Sequence, residues 1–188
     1  AYAGNVSQAY FYSEARKYKS NLSMYLSNSF IPEEVYTNLI STVDANLDKM
    51  HKYVSIRKDA LNLEELHFYD IYTPMVKDFK LKVSYDEAKT TVLEALKPLG
   101  ADYVELVKEG FNNGWVDVRE NKGKRNGAFS WGAYGTHPYV FLNYSDTLND
   151  VFTLAHEMGH AMHTYYSNEN QPYVYSGYKI FVAEVAST

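Results

Sequence analysis

Thr147-Leu148-Asn149-Asp150-Val151-Phe152-Thr153-Leu154-Ala155-His156-Glu157-Met158-Gly159-His160-Ala161-Met162-His163 is the stretch on which the reading of this chain turns. Thr147 can cap a helix, and Asp150 three residues later completes a short capping box and suits the positive helix end. Leu148, Val151, Phe152, Ala155, Met158, Gly159 and Met162 recur at three- and four-residue steps, the period of an α-helix. A helix over 147–166 is expected. At about 3.6 residues per turn, His156 and His160 share one face about 6 Å apart, so both imidazoles can converge on one ion. Glu157 lies roughly 100° round the helix, bordering such an ion without being forced to bind it. That is where a base for water activation belongs, and the His-Glu-x-x-His pattern is the one that zinc-dependent peptidases use.

Gly159 costs about 1 kcal/mol of helix stability relative to Ala. Either a close helix contact or room for metal or substrate would account for it. A catalytic zinc takes three protein ligands and leaves a fourth position open. His163 follows His160 by three residues, but an unbroken helix separates it from His156 by about 10.5 Å. It is read as a residue behind the ligands or along the groove, with ordinary surface or core placement as the alternative.

Glu184 is the stronger third ligand. It stands in Phe181-Val182-Ala183-Glu184-Val185-Ala186-Ser187-Thr188, after Asn168, Asn170, Gln171, Pro172 and Gly177, which can end the first helix and let the chain reverse. A second helix from near Tyr178 or Ile180 would bring its carboxylate beside the histidines. The apolar run of Ile180, Phe181, Val182, Ala183 and Val185 suggests a buried segment, where an ionised Glu is costly unless paired or bound to a cation; a salt-bridged core Glu is the alternative.

With these residues in view, the chain resembles the oligoendopeptidase F group, relatives of thimet oligopeptidase. The resemblance rests on HEMGHAMH at 156–163 followed by FVAEVAST at 181–188, on Gly127–Tyr144 (GAFSWGAYGTHPYVFLNY) and on Tyr69–Met75 (YDIYTPM). It spans nearly the whole chain, with no departure at the zinc positions. It implies a mainly α, neurolysin-like architecture with a small β-sheet beside the metal helix, and one Zn2+ as cofactor. It also implies a substrate edge near Gly132, Ala133 and Tyr134, and a chain that is one part of a longer peptidase. Tyr and His groups that stabilise the oxyanion in that family lie beyond this stretch. The remainder of the polypeptide is therefore an expected partner, and the isolated 188 residues are expected to hydrolyse peptides weakly.

Outward from the motif, 1–110 reads as a helical region and 111–188 as a small sheet plus the zinc-binding region. Helical spacing runs from Asn5 to Leu26. It resumes at Pro32-Glu33-Glu34, where Pro and acids suit a first turn, and continues towards Leu61. Asn62–Pro74 reads as a break. Ser84-Tyr85-Asp86-Glu87 opens a helix that ends before Pro98, and another covers Leu99–Phe111. Gly127–Trp131 and Tyr139–Tyr144 read as strands, whose edge could bind an extended peptide or simply form a hairpin. His137 takes no role from its spacing. Lys122-Gly123-Lys124-Arg125 reads as a solvated basic loop, and most of the 19 Tyr as helix-interface residues.

A net charge of −5 argues against nucleic acid as a partner. No run approaches the roughly 20 apolar residues of a membrane span. The absence of Cys excludes disulfides and thiolate ligands, and is compatible with a cytoplasmic setting. The expected function is a zinc metalloendopeptidase acting on oligopeptides. A zinc exopeptidase and a non-catalytic metal-binding helical domain are the alternatives.

Overall fold

A computed structural model describes residues 1–76, 79 and 81–188, and divides the chain into two compact units, Ala1–Phe79 and Lys80–Thr188. The helical region expected over 1–110 runs across both units. The reason is that helices α5 (Tyr85–Ala95) and α6 (Ala101–Asn112) take part in the same core as the metal-motif helix.

The first unit holds α1 (Tyr2–Ala15), α2 (Asn21–Ser27), α3 (Glu33–Asp44), α4 (Leu47–Ala60) and a 3-10 turn at Phe68–Tyr72. The single helical stretch expected over 5–26 is broken because Lys17 takes a left-handed φ of 59° and Tyr18 N–H bonds back to Ser13 O. That bond is the closing contact of a helix C-terminus. Ser20 then caps α2 by accepting from Ser23 N–H at 3.0 Å. The second stretch also divides, at Ala45–Asn46, and Pro32 sits just before the first helical residue of α3. Arg57 is buried and donates to the carbonyls of Asp70 and Thr73, tying α4 to the turn that follows.

In the second unit, Ser84 and Glu87 exchange the two bonds of a capping box and start α5, as expected. α6 is followed by Asn113 and by Gly114, whose φ of +78° lets the chain turn away. Three short strands follow: β1 (Val116–Asp117), β2 (Phe129–Trp131) and β3 (Tyr139–Phe141), in the order β1-β3-β2. β1 runs parallel to β3, with Val116 opposite Val140. β2 is antiparallel to β3, with Ser130 opposite Val140 and Trp131 opposite Tyr139. β2 is thus an edge strand among the described residues. The basic run at 122–125 is not simply solvated. The Lys124 side chain is only 7% exposed, with its ammonium 3.1 Å from Asp117 and over the Phe141 ring.

α7 (Leu148–Asn170) carries the motif. Thr147 caps it through a box with Asp150, and Asp150 Oδ2 also accepts from Ser145. Its buried side is Val151, Leu154, Met158, Ala161 and Met162, packed with Ala88, Val92, Val107, Trp115, Val140, Leu142 and Tyr144. Leu148 and Phe152, which the periodicity assigned to this face, are exposed; they lie a quarter-turn or more from it, towards His156. No helix among the described residues is long and apolar enough to cross a membrane.

Candidate metal centre and cleft

Mid-helix backbone geometry sets His156 and His160 on one side of α7. Their rings meet edge to face, and their Nε2 atoms are 3.2 Å apart. After α7 the chain turns at Tyr173–Tyr175 and returns as α8 (Ile180–Ala183), only four residues long. Glu184 follows directly. Its Oε2 lies 3.5 Å from His156 Nε2 and 3.6 Å from His160 Nε2. Tetrahedral zinc with bonds of about 2.0–2.1 Å separates neighbouring donor atoms by about 3.3 Å. The three donors therefore fit that group, and no other trio of His and acidic side chains among the described residues converges in this way.

Gly159 settles how the return segment gets so close. A Cβ at this position would overlap Ala186 O and stand 2.8 Å from Ser187 Cα. Any side chain here would push away the backbone that carries Glu184. Of the two explanations open from the sequence, the close contact is the one seen here, with the returning backbone next to Glu184. Ser187 Oγ donates to Glu184 Oε2 at 3.0 Å and orients that carboxylate.

Glu157 points to the other side, towards β2. It is buried, and its Oε2 has no hydrogen-bond partner. Burial pushes its carboxyl pKa up. His160, His156 and the Ser130 backbone amide pull it down, Glu184 pushes it up, and the net direction is upward. A buried carboxyl beside two imidazoles is placed to exchange a proton with a neighbouring group.

His163 does not join the three donors. Its ring stacks on Tyr178 at 3.7 Å and 13°, its Nδ1 is buried without a partner, and burial lowers its pKa. It belongs behind the donors, in contact with the returning segment. Gly132, Ala133 and Tyr134 form the turn after β2, and this turn is tied to the second half of α7. Asn168 Nδ2 reaches Ala133 O at 3.4 Å, and Tyr134 O–H donates to Gln171 O at 3.1 Å. A Cβ on Gly132 would overlap the Thr164 methyl. His137 packs: its ring lies parallel to Trp115 at 5.3 Å.

A mainly helical unit in which a His-Glu-x-x-His helix, a returning Glu and a short edge strand share one face has the layout of a metallopeptidase. The family comparison agrees: the chain belongs to peptidase family M3, whose model matches residues 3–188. It is 54% identical over 186 residues to oligopeptidase PepF of Bacillus subtilis, covering 99% of this chain and 28% of that protein. Group B oligopeptidase PepB of Streptococcus agalactiae is 45% identical, over 98% of this chain and 30% of its own length. The crystal structure of oligoendopeptidase-F from Enterococcus faecium matches 97% of this chain and 24% of that one, with 32% identity and a TM-score of 0.58. A Chlamydophila abortus structure matches 98% of this chain and 31% of that one, with 44% identity and a TM-score of 0.86. The chain thus spans less than a third of the relatives it matches, in keeping with the resemblance seen in the sequence.

Proposed function

We propose that this chain forms the metal-binding part of a zinc-dependent endopeptidase that cleaves internal bonds of short to medium oligopeptides. One observation carries the reading: three donor atoms from two separate segments sit at mutual distances of 3.2, 3.5 and 3.6 Å, the edges of a tetrahedral face around one small cation. His156, His160 and Glu184 would hold Zn2+. Bound there, zinc would supply Lewis-acid polarisation of the scissile carbonyl and acidify water.

The chain's own residues supply the rest. Glu157 Oε2, buried and unpartnered, accepts the proton removed from water and returns it to the departing amine. Edge strand β2 and the turn at Gly132, Ala133 and Tyr134 offer backbone groups to an extended peptide, giving affinity with loose sequence preference. Donors for the oxyanion would come from the remaining polypeptide, in line with relatives more than three times the length of this chain. The lack of cysteine favours a cytoplasmic setting.

The test is cleavage of an internally quenched peptide blocked at both ends by the full-length protein, with bound zinc measured in parallel. One zinc per chain and internal cleavage are expected, and Glu184→Gln should lose both. Cleavage only of peptides with a free terminus would refute endopeptidase action. Zinc-independent turnover would refute the metal assignment.

A further inference from the structure

Among these 188 residues, few apolar side chains of the return segment are buried. Of Ile180, Phe181, Val182, Ala183 and Val185, only Ala183 is buried; Ile180 is 70% exposed and Val185 74%. Yet Glu184 must be held within a fraction of an ångström to serve as the third donor. Contacts outside α8 can fix its register.

Tyr178, six residues before Glu184, meets that need twice over. Its ring lies against His163 at 3.7 Å, nearly parallel. Its hydroxyl lies 2.7 Å from Thr164 Oγ1. His163 and Thr164 stand one turn beyond His160 on the stiffest element of the unit. The other side of Thr164 is also engaged, since its methyl fills the space that a Cβ on Gly132 would need. A single threonine therefore contacts the turn after β2 with its methyl and the return segment with its hydroxyl. Ser167 Oγ adds a bond to Ser176 O at 2.5 Å, on the same side of α7.

We propose that Tyr178 is a positioning residue: clamped by His163 and Thr164, it sets the register in which the segment 176–187 delivers Glu184 to the paired histidines, and it ties that register to the turn at Gly132. The proposal rests on the metal reading above and adds to it a cause for the third donor's placement. The aromatic stack supplies most of the hold, because its contact area is large. The hydroxyl pair supplies direction.

The experiment compares Tyr178→Ala, Tyr178→Phe and Thr164→Val in the full-length protein. Two quantities are read: zinc affinity by chelator competition, and hydrogen exchange of amides 179–187 in metal-free protein. Tyr178→Ala should weaken zinc binding by about 10- to 100-fold, the range for residues that orient metal ligands. It should also speed exchange in 179–187 while the amides of 150–165 stay protected. Tyr178→Phe keeps the stack and should lose only a few-fold, and Thr164→Val should match it, with the double variant no worse than either alone. Unchanged zinc affinity and exchange in Tyr178→Ala would overturn the proposal. A wild type that binds no zinc, with exchange in 179–187 still faster in Tyr178→Ala, would overturn the metal assignment alone and leave the clamp on the return segment standing.

Discussion

The two segments that bring donors to the centre are held by opposite means. α7 is 23 residues long, capped at Thr147, and buries Leu154, Met158 and Ala161 completely. The segment that ends in Glu184 has a four-residue helix and one buried side chain, and stays in place through a glycine contact, a stacked tyrosine and a few hydroxyl bonds. Two imidazoles are thus fixed by folding itself, whereas the carboxylate is fixed by docking. A metal bound to all three would join the docked segment to the folded one and stabilise both, since a ligand of the native state alone stabilises that state.

The contrast is sharpest at Glu157, which needs α7 alone. Replacing it by Gln should lower turnover by about 10²- to 10⁴-fold, the usual contribution of a general base, with zinc content unchanged. Metal-free Glu157→Gln should also melt higher than wild type above the carboxyl's raised pKa. There the native state of the wild type carries a buried charge whose Oε2 has no hydrogen-bond partner. Zinc lost together with turnover would mean that Glu157 is part of the metal shell, and the division between the segments would fail.

Stability should divide along the same line. Leu154→Ala removes a fully buried side chain and is expected to cost about 2–5 kcal/mol in chemical denaturation. Phe181→Ala, on a residue 51% exposed in the return segment, should stay within about 0.5 kcal/mol. Equal losses would show that the return segment belongs to the folding core.

Gly159→Ala tests the docking contact itself. Alanine should favour α7 by about 1 kcal/mol through helix propensity, yet its methyl would collide with Ala186 O. The expected result is a metal-free protein no less stable than wild type whose zinc affinity falls roughly tenfold or more. An unchanged affinity would mean that Glu184 reaches the histidines without close approach at this glycine.

The same asymmetry explains what could be read in advance. The start of α7, the pairing of its histidines and the aim of Glu157 follow from local rules: a cap, a period and an angle per residue. Glu184 was singled out because its apolar neighbours suggested a buried segment, and that premise fails: of the run only Ala183 is buried, and the Glu184 side chain is 54% exposed. β1 was invisible, since two residues, Val116 and Asp117, leave no pattern and depend on a parallel partner beyond them in the chain. The breaks at Lys17 and at Ala45–Asn46 were hidden because apolar spacing runs on across both. Gly159 and Tyr178 could be placed but not explained. Their meaning lies in what comes back to touch them, and only a signal longer in range than helix periodicity could have revealed it. Lys124 was misjudged for the same reason: its partner, Asp117, lies across the sheet end.

The smallest expected effect lies at the far end of α7. Burial alone would raise the Asp150 carboxyl, but the hydrogen bonds from Thr147 and Ser145 outweigh it, and its pKa is lowered in the fold. A carboxylate with a depressed native pKa contributes stability that is fully present above its unfolded value near 3.9 and fades as pH falls through the native value. Asp150→Asn should therefore lose about 0.5–2 kcal/mol at pH 7, in line with the loss of a helix cap, measured by urea denaturation with a chelator present. The gap between the two proteins should stay constant down to about pH 5 and narrow steadily below pH 4, because protonated wild type no longer has the advantage. A gap that persists unchanged at pH 2 would assign the contribution to shape rather than charge. Zinc affinity of the variant should stay close to wild type, as the cap lies more than one helical turn before His156 and the docked segment rests on the opposite half of the helix.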